Sequence, residues 1–200
     1  MRSVSVLLMA VGGGLLAPAL PVVARDLGGE ATGNWAGASG EGFFFRAALE
    51  PHADLAALRI WNGTNAIPDG KGDPDLNAQE FALSAFATSL RLEVIERADS
   101  SVLQVITEFA DEESEGRIVE EIQFIDFQFT ITGYSHEMTL DNFDGPPGYS
   151  SCTVDTLSGR VVDNGKERSL PQMDADALNA SNWSYAAVFD RGWCSRLGEG

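Results

Sequence analysis

The chain has 200 residues, and its 30 acidic and 13 basic side chains give a formal net charge of −17. A surface this negative repels nucleic-acid phosphates and anionic lipid headgroups, so we expect no nucleic-acid partner and no polyanionic substrate. It suits a basic protein partner, bound metal ions or solubility alone.

Residues 1–24 predict a signal peptide. Arg2 is their only charge, and the apolar run over residues 4–20 is followed by small residues that end at Ala24. Three consecutive glycines and Pro18 within the run argue against a stable membrane helix. We therefore expect export to the periplasm or the medium, cleavage after Ala24, and no stable membrane insertion.

The two cysteines, Cys152 and Cys194, are predicted to form a disulfide. An even pair in an exported chain favours a structural bond. A redox dithiol or a metal pair would be expected to have closer spacing or nearby histidines, and the histidines are His52 and His136.

The pattern along the mature chain is that of an all-β protein. Residues 25–40 are Gly-rich and predict a loose lead-in, and residues 62–74 predict a polar loop. Strand-like runs bounded by turn signals lie at residues 43–49, 55–61, 88–97, 102–109 and 117–124, with a further run from 127 to 131. The alternation changes phase near residues 125–126, which predicts a bulge or a tight turn there.

The C-terminal quarter adds a hairpin and a short helix. Asn164 and Gly165 predict a type I′ turn between two short strands. Residues 173–179 predict one helix that Asp174 could cap. We therefore expect residues 41–200 to form a single antiparallel barrel or sandwich of about eight or more short strands, with at most one short helix.

The tripeptide Gly33-Asn34-Trp35 resembles the Gly-x-Trp motif that opens lipocalin- and avidin-like (calycin) barrels. That resemblance implies that Trp35 plugs the floor of a barrel and that Arg191, beside Trp193, packs over it. It also implies that a bond between Cys152 and Cys194 pins the tail to the barrel wall. A different sandwich or an open barrel fits the strand pattern equally well.

Residues 69–80 imitate a calcium-binding loop. Positions 1, 5, 7, 9 and 12 of a twelve-residue count fall on Asp69, Asp73, Asp75, Asn77 and Glu80. Lys71 occupies the third ligand position and Pro74 replaces the glycine of the turn. The alternatives are an irregular Ca²⁺ loop and a solvated turn.

Little in the sequence points to catalysis. Ser150 and Ser151, beside Cys152, could supply a nucleophile, but the sequence has no Gly-x-Ser-x-Gly motif. The adjacent acids Glu120 and Glu121 must point to opposite faces of a strand. A hydrolase would need a histidine near a serine in a cleft. We expect no enzyme.

The aromatic residues are the remaining candidates for a binding site, namely Trp35, Phe44, Trp61 and Trp193. The leading interpretation is an exported, non-enzymatic, β-barrel-like protein that binds a small apolar molecule. The alternatives are an interaction or inhibitor module with an acidic surface for a basic partner, and a hydrolase. A tryptophan lining an internal cavity would favour the first interpretation, and an exposed aromatic patch rimmed by acids would favour the second.

Overall fold

The computed structural model describes residues 26–38, 40–110, 114–140, 148–170 and 175–196. The predicted signal peptide lies outside these residues. The strands, in chain order, are β1 (Asp26–Leu27), β2 (Gly29–Asn34), β3 (Phe44–His52), β4 (Leu55–Gly63), β5 (Leu76–Leu83), β6 (Ser89–Glu96), β7 (Ser101–Ala110), β8 (Ser114–Ile125), β9 (Gln128–Leu140), β10 (Gly148–Asp155), β11 (Arg160–Asp163) and β12 (Lys166–Ser169). Two short helices follow, α1 (Ala175–Leu178) and α2 (Ala187–Asp190), with a 3-10 turn (Ala180–Asn182) between them.

The strands form two sheets, which confirms the all-β prediction. The large sheet has the order β1-β6-β7-β8-β9-β10-β11-β12, and the small sheet has the order β2-β3-β4-β5. Neighbouring strands are antiparallel, apart from the two-residue parallel pairing of β1 with β6. In the described part of the chain, no helix is long and apolar enough to cross a membrane.

Gly33 allows β2 to pack closely against the core. A Cβ atom at this position would lie 2.7 Å from the ring of Phe45 and 3.0 Å from the side chain of Val94 on β6. Real Cβ atoms do not approach other heavy atoms this closely. A side chain at position 33 would therefore push β2 away from Phe45 on β3 and Val94 on β6. Glycine at position 33 thus permits the close approach of the backbone.

Two hairpin turns have the conformation that the sequence predicts. Asn164 and Gly165 both have positive φ, and they join β11 to β12. Asp126 and Phe127 also both have positive φ, and they join β8 to β9, where the apolar phase changes. Two positive φ angles in a two-residue loop are the signature of a type I′ turn.

A bulge in β9 shifts the face on which its side chains lie. Ile131 pairs with Ile122 and Gly133 pairs with Glu121, which leaves Thr132 without a partner residue on β8. Before the bulge, odd-numbered side chains such as Ile131 point into the core. After the bulge, even-numbered side chains such as Tyr134 point into the core. An inserted residue produces this change of phase.

The C-terminal segment, residues 175–196, is fastened to the large sheet. Cys194 is bonded to Cys152 on β10, which confirms the predicted disulfide. Ser195 donates two hydrogen bonds to Asp163 from its backbone nitrogen and its hydroxyl, at 3.0 and 2.8 Å. Arg168 on β12 donates to the carbonyls of Gly192 and Trp193. Bonds on several strands therefore hold the segment in place.

Three expectations need correction. Residues 29–34, expected in a loose lead-in, form β2 because each pairs with a residue of β3. Residues 76–80, expected in a calcium-like loop, begin β5, where Leu76 and Ala78 alternate into the core. The C-terminal quarter has two short helices rather than at most one, and Asp174, the predicted cap, lies outside the described residues.

Candidate functional site

Six aromatic rings from three parts of the chain meet at one end of the two sheets. Trp35 stacks on Phe45 with ring centroids 4.0 Å apart, and Phe124 and Phe129 lie 6.2 and 6.1 Å from it. Phe124 also contacts Phe43 and Phe127, at 5.9 and 6.4 Å. We call this group the aromatic cluster; its members are Trp35, Phe43, Phe45, Phe124, Phe127 and Phe129.

The aromatic cluster runs from the core to the surface. Phe45 and Trp35 are buried, whereas Phe43 is 39% exposed and Phe127 is 82% exposed. An open cleft of about 330 Å³ lies between the rings, lined by Trp35, Phe43, Phe124 and Phe127. Large apolar side chains that are grouped and exposed mark a binding surface more often than isolated ones do. We call this feature the aromatic cleft.

The two most exposed rings of the cluster have an unfavourable backbone conformation. Phe127 has φ +63° and Phe43 has φ +80°. For an L-residue the left-handed region costs about 1–2 kcal/mol, and the type I′ turn prefers glycine where Phe127 stands. Both exposure and conformation therefore disfavour a phenylalanine at position 127 for folding alone.

Two carboxylates lie at the rim of the aromatic cleft. Asp126 precedes Phe127 in the β8–β9 turn, and Asp99 lies in the β6–β7 turn. An acidic group beside aromatic faces attracts a cation, since both the charge and the ring quadrupole favour it.

A second group of polar side chains lies beneath the C-terminal segment. The Nε2 atom of His136 is 3.0 Å from Oγ of Ser150, and its Nδ1 atom is 3.1 Å from the hydroxyl of Tyr134. All three side chains are buried on the inner face of β9 and β10. Burial lowers the pKa of His136 and raises that of Tyr134, so both are neutral at pH 7.

Glu120 on β8 belongs to the same inner face. It is buried, and its Oε1 atom accepts a hydrogen bond of 2.9 Å from Nε1 of Trp183. Burial raises the pKa of Glu120 to about 8, although the bond from Trp183 acts in the opposite direction. The carboxyl group is therefore mostly protonated at pH 7.

Of the two requirements for a hydrolase, a short distance between nucleophile and base and a cleft around them, Ser150 and His136 meet the first. They are within hydrogen-bond distance, as nucleophile and base must be. Ser150 and His136 are nevertheless both buried, and neither lines the aromatic cleft. The arrangement contacts the C-terminal segment through Phe189, whose ring centroid lies 6.4 Å from that of Tyr134 and 5.8 Å from that of His136.

The structure places Trp35 and Trp193 in different aromatic groups. Trp35 is buried at one end of the sheets, as predicted, but its ring partners are Phe45, Phe124 and Phe129. Arg191 instead lies 5.4 Å from the ring of Trp183 and 5.1 Å from that of Trp193. The predicted packing of Arg191 over Trp35 is therefore wrong.

Phe44 and Trp61 lie on the outer face of the small sheet. Phe44 is adjacent to the buried Phe45 and points to the opposite face, and Trp61 pairs with Arg46 on that same outer face. Nε1 of Trp61 donates to the carbonyl of Gly72 at 3.1 Å. The four aromatic residues predicted for one binding site thus fall in three places.

The five predicted calcium ligands do not converge in the structure. Asp75 accepts a hydrogen bond from the backbone of Asn62, and Asn77 accepts one from Gln79 on β5. Within the described ranges, which include all of residues 69–80, no three His, Cys, Asp or Glu side chains form a group that could hold a metal ion. The geometry gives the calcium prediction no support.

Phe43, Phe124 and Phe127 were not among the residues singled out from the sequence. The change of phase at residues 125–126 was the available signal, because a tight turn there exposes whatever side chain it carries. Comparison with protein-family models, with curated proteins and with solved structures finds no match for the chain. The calycin resemblance stays a prediction.

Proposed function

We propose that the protein is an exported, non-enzymatic binding protein that holds a segment of a partner polypeptide in its aromatic cleft. The partner segment combines basic and apolar side chains. The observation that carries this proposal is Phe127, a largely exposed ring at positive φ beside Asp126.

The apolar part of the recognition rests on the exposed rings. Phe127 and Phe43 stand at the rim of the aromatic cleft, and Phe124 and Trp35 form its floor. Burying aromatic rings of this kind supplies much of the free energy at protein interfaces. A partner side chain entering the cleft would meet ring faces that the core already holds in place.

The basic part of the recognition rests on charge. Asp99 and Asp126 line the aromatic cleft, and the whole chain carries a net charge of −17. A field of this sign speeds the association of a cationic partner and repels an anionic one. Lysine or arginine can also stack on the ring of Phe127.

A direct test uses two labelled synthetic peptides of equal length, one alternating leucine with lysine and the other alternating leucine with glutamate. Fluorescence anisotropy with the mature, disulfide-bonded protein should show binding of the lysine peptide alone, weakened by salt. Phe127→Gly and the double change Asp99→Asn with Asp126→Asn should each weaken it at least tenfold.

Phe86 provides a matched control. It is also an exposed phenylalanine at positive φ, 69% exposed with φ +61°, but it lies in the β5–β6 turn outside the aromatic cluster. Phe86→Gly should leave peptide binding unchanged. Equal binding of both peptides, or equal losses in the two glycine variants, would overturn the proposal.

A small apolar molecule is the second candidate ligand. Trp35 lines the aromatic cleft, and the volume of about 330 Å³ falls within the range of small-molecule sites. A neutral dye, N-phenyl-1-naphthylamine, tests this candidate. Dye binding that is lost in Phe127→Gly, together with no binding of the lysine peptide, would replace the first proposal with the second.

Export is the part of the proposal that N-terminal sequencing tests. Protein recovered from its own host should begin at Arg25 if cleavage follows Ala24. The bond between Cys152 and Cys194 supports an oxidising compartment. An intact Met1 on cytoplasmic protein would contradict export while leaving the binding proposal open to the peptide test.

For the architecture, we infer a sandwich rather than a closed barrel. The support comes from the C-terminal segment, which bonds to both sheets. The backbone nitrogen of Tyr185 donates to the carbonyl of Glu80 on β5, and Asn179 forms a bridge with Thr130 on β9. The C-terminal segment thus links β5, an edge strand of the small sheet, to β9 of the large sheet.

A further inference from the structure

A second cleft lies on the outer face of the large sheet, where β8, β9 and β10 run side by side. Its volume is about 280 Å³. We call it the polar cleft, and the polar side chains that line it are Arg97, Glu121, Gln123, Thr132, Ser135 and Thr153. It does not include any residue of the aromatic cluster.

The bulge in β9 shapes the polar cleft. Thr132 is the inserted residue, and the next residue, Gly133, lies opposite Glu121. A Cβ atom on Gly133 would be 2.8 Å from Oε2 of Glu121, so glycine leaves room for that carboxylate. Gln104 donates to the other oxygen, Oε1, at 2.7 Å and fixes its position. Bulges are common beside binding sites because they redirect side chains.

Two side chains in the polar cleft lack polar partners: Thr132 has no hydrogen-bond partner for its hydroxyl, and Arg97 has no ion-pair partner among the described residues. The hydroxyl of Thr132 is buried without a hydrogen bond, and the residue is only 4% exposed. The guanidinium of Arg97 makes no ion pair with any described residue, although acids outnumber bases in this chain. An unpartnered buried hydroxyl costs stability, so its presence beside a cleft indicates a ligand that would satisfy it.

We infer that the polar cleft binds a neutral polyhydroxylated molecule, a single sugar residue. Arg97, Glu121 and Asp155 all line the cleft, so an anion or a cation would each meet a like charge. A sugar hydroxyl both donates and accepts, as the threonine, serine and glutamine side chains require. Leu157, which is largely exposed, offers an apolar edge to the C–H groups of a sugar ring.

The test is a titration of the mature protein with the methyl glycosides of glucose, galactose, mannose and N-acetylglucosamine at millimolar concentrations. Amide chemical shifts in NMR spectra report the site. At least one glycoside should shift the amides of Gln123, Thr132 and Gly133, while those of the aromatic cluster stay in place. The absence of any shift with all of the glycosides would overturn the inference.

Thr132→Val separates binding from folding. It keeps the shape of the side chain and removes the hydroxyl, so affinity for the glycoside should fall about tenfold while the melting temperature stays equal or rises. Thr130→Val is the matched control on the same strand, since the Thr130 hydroxyl already bonds to the carbonyl of Gln128. Unchanged affinity in Thr132→Val, or an equal loss in Thr130→Val, would contradict the inference.

Discussion

Nε1 of Trp183 donates a hydrogen bond to Oε1 of Glu120 at 2.9 Å, and both side chains are buried although they lie 63 residues apart in the chain. This contact joins the C-terminal segment to the centre of the large sheet. Burial of Glu120 in this place makes the stability of the fold depend on the protonation of its carboxyl group.

The contribution of Glu120 to the stability of the protein should fall as the pH rises from about 4.5 to 8. The pKa of Glu120 is raised from 4.5 to about 8 in the folded state, so between these values the folded state binds a proton that the unfolded state has lost. The stabilisation is complete below the unfolded pKa and is lost as the pH rises through the folded pKa. Glu120 should contribute a fall of about 1.4 kcal/mol per pH unit, measured by urea unfolding. The lowered pKa of His136 acts in the opposite direction as the pH rises toward 6.5, so the contribution of Glu120 is isolated by a variant.

Glu120→Gln should remove this contribution to the slope, because the amide still accepts a bond from Trp183 and does not titrate. Glu121→Gln is the control, since Glu121 lies on the opposite face of β8 and the change leaves Glu120 in place. Parallel stability curves for the wild type and Glu120→Gln over this pH range would show that Glu120 does not govern the effect.

Removal of the disulfide should destabilise the fold by about 4 kcal/mol. The bond closes a loop with a sequence separation of 42 residues, and the chain-entropy relation gives that figure for a loop of this length. The double change Cys152→Ser with Cys194→Ser, compared with the wild type by urea unfolding, measures it. A loss below about 1 kcal/mol would show that noncovalent contacts, among them those of Asp163, Arg168 and Glu120, are enough to hold the C-terminal segment.

Trp35→Ala should destabilise the protein by about 3–5 kcal/mol. The ring is buried against Phe45, Phe124 and Phe129, and removing it leaves a cavity among them. Trp61→Ala is the control, because Trp61 is only half-buried on the outer face of the small sheet. Equal effects of the two changes on the melting temperature would mean that Trp35 does not anchor the aromatic cluster.

Local patterns predicted the strands and turns better than they predicted the sites. The alternation of Leu90 and Leu92 with charged residues identified β6, and Asn164-Gly165 identified the last hairpin. Strand β5 was missed because its first residues also matched a calcium loop, although Leu76 and Ala78 alternate with exposed residues.

The partners of a buried side chain could not be read from its neighbours in sequence. The burial of Trp35 was predicted, but its ring partners Phe124 and Phe129 come from the β8–β9 hairpin. The burial of Glu120 is indicated by the sequence, because Glu120 alternates in phase with the apolar residues Ile118 and Ile122 and so lies on the same face of β8. An acid at an apolar position of a strand indicates a buried carboxyl group with a raised pKa.

Phe127→Gly should stabilise the protein by about 0.5–1 kcal/mol. Phe127 has φ +63°, which costs a phenylalanine more than a glycine, and a glycine after Asp126 would complete the Asp-Gly pair that a type I′ turn favours. The ring is 82% exposed, so its removal forfeits little packing. Urea unfolding measures the change.

The same variant tests whether position 127 is kept for binding at the expense of stability. Phe86→Gly, at an exposed phenylalanine with positive φ outside the aromatic cluster, should stabilise by a similar amount. If the aromatic cleft is the binding surface, Phe127→Gly should gain stability and lose the lysine peptide, whereas Phe86→Gly should gain stability and keep it. A Phe127→Gly protein that is less stable than the wild type would show instead that the ring serves the fold, through its contacts with Phe43 and Phe124.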